Sequence, residues 1–77
     1  MPTILRIKGY RFFFYSNDHS PAHIHIEKDD KTAKFRLDTL DLARSKGFNA
    51  KEISEIRKYV EDNIDLFKSK WNEYFND

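Results

Sequence analysis

The sequence predicts an α+β domain in which a small, four-stranded, mainly antiparallel sheet is covered on one face by one long C-terminal helix. Three observations predict it. β-Branched and aromatic residues crowd positions 3–15 around a single glycine, apolar and polar residues alternate strictly through 22–27 and again through 33–37, and beyond Gly47 the apolar residues return at helical spacing. The 77 residues suffice for one such domain, strand-rich over 1–46 and helical over about 50–75. Surface scaling for a chain of this mass expects roughly 5,000 Å² folded against about 13,500 Å² unfolded, so the core is thin.

Thr3–Ile7 and Tyr10–Tyr15 read as two strands joined at Gly9 by a tight connection. Asn17–Pro21 is a turn by composition. Ala22–Glu27 then sends Ala22, Ile24 and Ile26 to one side and His23, His25 and Glu27 to the other. After a polar loop at Lys28–Lys31, Ala33, Phe35 and Leu37 alternate with Lys34 and Arg36. A hairpin that keeps the apolar sides together pairs Ile24 with Phe35 and Ile26 with Ala33, which sets His23 opposite Arg36 and His25 opposite Lys34. Asp38–Lys46 is ambiguous: Leu40 and Leu42 suit either a short edge strand or an irregular segment returning to the core.

The helix has the clearest start. Asn49 stands where an N-cap belongs, Glu52 follows three residues later, and Phe48 can pack on Ile53 across the first turn. From Ala50 onward, Ile53, Ile56, Val60, Ile64, Phe67, Trp71 and Tyr74 form one stripe. A helix of about 25 residues is roughly 38 Å long, whereas six-residue strands span about 20 Å, so the last turns overhang the sheet. Phe67, Trp71, Tyr74 and Phe75 then need a cover, either a cognate small protein or a second copy of the chain, unless the helix crosses diagonally and buries them within the monomer.

Composition excludes several classes. Without cysteine there is no disulfide scaffold, thiolate zinc site or cysteine nucleophile, and the expected compartment is the cytoplasm. The opening MPTILRIKGY has no apolar stretch of export-signal length, and no run is long enough to span a membrane. No phosphate-binding glycine loop, GxSxG elbow or HExxH motif occurs. The net charge of +1 conceals an asymmetry: residues 1–37 carry seven Lys or Arg against four acids, while 38–77 carry seven against nine.

The positive half concentrates on one surface. If the apolar side of each strand meets the helix, the other side gathers Arg6, Lys8, Arg11, Phe13, Tyr15, His23, His25, Lys34 and Arg36. Cations neutralise phosphates and release counterions, and aromatic faces stack on unpaired bases, so single-stranded RNA is the ligand this surface suits. The competing reading is an ordinary solvated sheet face whose Lys and Arg discourage edge pairing. Two histidines at i and i+2 share a face, and metal-free cleavage of RNA needs one group to deprotonate the 2′-OH, another to protonate the leaving oxygen and a cation on the phosphorane. His23, His25 and Arg36 are the candidates, and Lys34 and Arg36 beside the rings disfavour the imidazolium form. A zinc site would draw further ligands from Asp18, His19 and Glu27 in a field made repulsive by the facing cations, so no metal or cofactor is expected.

The segments MPTILRIKGYRFFFYSNDHSPAHIHIE, AKFRL, GFNAKEISEIRKYVEDN and WNEYF, with the SND turn, Pro-x-His-x-His and Gly-Phe helix entry in that order, resemble the small bacterial domain of unknown function 4160. Where that family usually shows two prolines before the histidines, this chain has Pro21 and Ala22. The resemblance implies a place in a toxin–antitoxin module beside a second small protein, and supplies no catalytic residues. Residues and resemblance together give the expectation of a toxin component that binds RNA, and leave open whether it is an enzyme, which would then be a metal-independent ribonuclease. Its rivals are a non-catalytic module binding nucleic acid or protein, and the antitoxin or partner subunit of such a pair.

Overall fold

The computed structural model describes residues 3–75 and places them in an α+β fold within 33 × 22 × 20 Å, with an accessible surface of 4811 Å². Five strands, β1 (Thr3–Ile7), β2 (Tyr10–Phe13), β3 (His23–Lys28), β4 (Lys31–Arg36) and β5 (Leu42–Lys46), form an antiparallel meander in chain order. Two helices follow, α1 (Ala50–Asp62) and α2 (Ile64–Phe75). Among the described residues, no helix is long and apolar enough to cross a membrane.

Tight turns hold the strands in register. Lys8 and Gly9 both take positive φ (48° and 87°) between β1 and β2, the twist that two-residue hairpin loops require. The β3–β4 connection closes to Asp29 and Asp30, with Lys28 and Lys31 already paired, and the expected partners are found: His23 with Arg36, Ile24 with Phe35, His25 with Lys34 and Ile26 with Ala33. The Ser20–Pro21 peptide is cis.

The expected four strands are five. The ambiguous segment contains β5, an edge strand whose residues are all exposed, joined to β4 through Leu40 at φ 62° and a bulge opposite Lys34 and Phe35. An edge strand that buries nothing carries no apolar alternation to announce it.

The expected single helix is two. Asn49 accepts from the Glu52 N–H at 2.8 Å while the Glu52 carboxylate accepts from the Asn49 N–H at 3.1 Å, so the capping box forms as read. At Asn63 the chain leaves helical geometry (φ −118°, ψ 21°), and the Asn63 side-chain amide donates to the Tyr59 carbonyl at 2.8 Å. A side chain that bonds the carbonyl four residues back competes with the helical ladder and bends it. A straight 25-residue helix of roughly 38 Å would outrun the molecule's longest dimension; the break lets the second half stay on the sheet.

The core therefore lies on one face. Tyr10, Phe12, Ile24, Ile26, Ala33 and Phe35 from the strands meet Ile56 and Val60 of α1 and Phe67 and Trp71 of α2. Burying one side chain such as Phe12 or Phe67 contributes about 1.5–3 kcal/mol. Of the two placements the sequence leaves open for Phe67 and Trp71, an overhang or burial within the monomer, the second is found, and Phe75 is half-buried. Of the four residues, Tyr74 alone is exposed.

Candidate functional site

The opposite face is partly covered by its own side chains. Arg11, directly across from Glu27, donates to its carboxylate at 2.7 Å and to the Thr3 hydroxyl at 2.7 Å, and lies 4.3 Å over the Phe13 ring. Phe13 is also stacked by His25 and met edge-on by Tyr15, which leaves it 1% exposed and offers no face to a base. Tyr15 keeps 39% exposure at the rim. Arg6 is exposed on β1, Lys8 occupies the turn rather than the sheet face, and neither forms an ion pair among the described residues.

His23 and His25 come together as the spacing requires, their ring centroids 5.0 Å apart. The residue that organises them is Asp18, in the turn after β2. Its Oδ2 accepts from the Tyr15 N–H at 2.9 Å, and its Oδ1 lies 3.1 Å from His23 Nε2 and 3.2 Å from His25 Nε2. His23 Nδ1 lies 2.9 Å from the Pro21 carbonyl and its ring leans on Trp71, while His25 is held between Phe13 and Tyr15. The two imidazoles thus sit where a turn, a strand start and α2 meet, His23 buried and His25 half-buried.

They form the floor of an open cleft of about 390 Å³ lined by Asn17, His19, Ser20, Lys34 and Arg36 among others. The expected catalytic arginine is occupied: Arg36 grips Asp38 through two bonds, at 2.9 and 2.5 Å. Lys34 makes no ion pair among the described residues and is the cation whose charge reaches His25. Arg44 of β5 pairs with Lys34 in the sheet and adds a cation that the sequence reading missed, because it belongs to the strand without a pattern. In the sequence Asp18 stands out only as a possible metal ligand; its one further signal is its place in the turn leading to Pro-x-His-x-His.

Burial is the largest influence on His25 and pushes its pKa below the usual 6.5; His23 and Lys34 push the same way, against Asp18. For Asp18 burial acts to raise the pKa, but bonds from Tyr15, His23 and His25 outweigh it and hold the carboxyl below 3.8. The cluster is therefore a half-buried carboxylate shared by two imidazoles, one of them favoured neutral, beneath cations. Such an arrangement can orient proton carriers, seat an anion at the rim or coordinate a cation.

The family model described as "Domain of unknown function (DUF4160)" matches residues 9–72, a span that includes every residue of the cleft. No curated protein and no solved structure matches the chain.

Proposed function

Because the chain belongs to the DUF4160 family, whose description assigns no activity, we propose its function from the cleft: an RNA-directed toxin component of a two-protein module, acting on the phosphodiester backbone. One observation supports this most, the single Asp18 oxygen shared by His23 and His25 at the floor of a cleft walled by Lys34 and Arg36. His23 and His25 are the residues at the reacting centre, and Asp18 is their positioning residue. Lys34, with Arg44 beside it, faces the phosphate, and Arg36 reaches it on exchanging Asp38 for the ligand. Of the rings, Tyr15 remains available to stack on a base; Arg6 extends the positive surface along β1, Lys8 adds a charge at the turn, and Arg11 reaches a phosphate on exchanging Glu27 for it.

The module's second protein would neutralise this domain in the cytoplasm, docking where Tyr74 and Leu66 expose apolar surface on α2. The test is expression of the chain alone and with its neighbouring gene, together with incubation of the purified protein with single-stranded RNA. The expected results are growth arrest relieved by the second protein, binding that weakens steeply with salt, and strand scission lost in His25→Ala. Binding without scission in the unaltered protein identifies the non-catalytic module, and salt-independent association with protein alone identifies the partner subunit.

A further inference from the structure

We propose that Asp18 Oδ1, His23 Nε2 and His25 Nε2 form a divalent transition-metal site of the zinc class, with its fourth position open to the cleft. Three side-chain atoms, one from each residue, lie within 4.8 Å of one another. The two oxygen-to-nitrogen separations are 3.1 and 3.2 Å. Ligands held at about 2.0–2.1 Å around a tetrahedral zinc ion are separated from each other by roughly 3.3 Å. The oxygen therefore stands from each nitrogen at about the distance of neighbouring vertices around such an ion.

The hydrogen bonding of His23 is compatible with that geometry. The Pro21 carbonyl can only accept, so His23 Nδ1 carries a proton and donates to it at 2.9 Å. With that proton in place, the contact of Nε2 with the carboxylate oxygen 3.1 Å away requires a positive charge between the two atoms, carried by a second ring proton or by a metal ion. A metal ion would supply that charge at both imidazoles at once.

The surroundings match those of resident metals. A ligating histidine ordinarily donates its other ring nitrogen to a carbonyl, as His23 does, and a ligating carboxylate is itself hydrogen-bonded, as Asp18 Oδ2 is by Tyr15. His25 is fixed by Phe13 and Tyr15. Of the facing cations that oppose a metal ion, Arg36 is turned onto Asp38, and Lys34 remains. Two nitrogens and one oxygen suit a borderline ion, and a three-residue set with an open position is the arrangement of catalytic zinc. A water on the open position would be a nucleophile at neutral pH, which names the agent that would act on a phosphodiester seated beside Lys34.

The assignment stands on the three atoms and holds whether or not RNA is the substrate. The test is calorimetric titration of tag-free, chelator-stripped protein with zinc chloride, with cobalt(II) as an absorbing substitute. One ion per chain, the intense visible bands of tetrahedral cobalt, and a melting temperature raised by on the order of 10 °C at saturating zinc are expected. Asp18→Asn and His23→Gln should each weaken binding by at least about tenfold, whereas His19→Ala, an exposed histidine on the same cleft, should leave it unchanged. Absence of stoichiometric binding, or binding lost in His19→Ala and kept in the other two, overturns the site. RNA binding by the stripped protein is measured separately, so either reading can fail without the other.

Discussion

Replacing Asp18 with Asn removes one charge and leaves the shape of the turn. The carboxylate receives three hydrogen bonds, from the Tyr15 N–H and both imidazoles, and its side chain is 10% exposed. The amide oxygen of Asn can still accept from Tyr15, so the loss falls on the two ring contacts. A bond to a charged group contributes about 1.5–3 kcal/mol and a neutral one about 0.5–1.5, so the exchange costs about 1 kcal/mol per ring and about 2 kcal/mol in all. For a domain of this size that lowers the melting temperature by about 8–16 °C. The assay is thermal unfolding followed by circular dichroism at neutral pH with a chelator present, which removes any contribution from bound metal. The difference also has a required pH dependence. Because the folded pKa of Asp18 lies below the ordinary 3.8, the carboxylate's stabilisation is complete above that value and is lost as the pH falls through the folded one. The gap between unaltered protein and variant must therefore close in acid. A variant that melts with the unaltered protein, or a gap that persists in acid, refutes the assignment of Asp18 as the charged centre of the cluster.

Three further outcomes follow from the same structure. Asn49→Ala removes the capping box acceptor and should cost about 1 kcal/mol, read as a fall of about 4–8 °C in melting temperature with RNA binding unchanged. The Tyr10 phenol, driven up to about 12 by burial and by its bond to Glu55, should ionise well above the ordinary 10 in an alkaline absorbance scan, a step that disappears in Tyr10→Phe. Since this pKa is raised on folding, its stabilisation is complete below 10 and disappears as the pH rises toward 12. Phe13→Ala should destabilise by about 3–5 kcal/mol, a large share of the total expected of so short a chain, whereas Tyr15→Ala should cost about 1 kcal/mol and weaken RNA binding by the ~1–3 kcal/mol of one stacked base.

How far the sequence reached depended on whether a residue's partners were local. Alternation through Ile24, Ile26, Ala33 and Phe35 specified the β3–β4 register, because sliding by one residue would turn each of those side chains into water. Asn49 with Glu52 announced α1 because a cap is made within four residues. The break at Asn63 was hidden, since the stripe of Val60, Ile64 and Phe67 runs through it and periodicity registers only the apolar positions. Phe13 read as an open ring because its cover comes from Arg11 and His25, and a pattern along one strand does not show what its neighbours fold over it. Arg36 read as free for the same reason: its partner Asp38 lies beyond the end of the strand. The histidine pair was legible from spacing, while Asp18, whose importance arises from how the turn folds back over β3, was not.

Asp18, His23 and His25 all fall within the stretch 18–25, and the groups that brace them through the backbone, Tyr15 and Pro21, lie in or beside it. Deleting a single residue from that stretch would misplace all three atoms together while the pairings of β4 with β5 stayed intact. The cluster is accordingly inherited or lost as one block. A foreign hairpin with an aromatic shelf like Phe13 could receive the whole of it by transplanting one short segment.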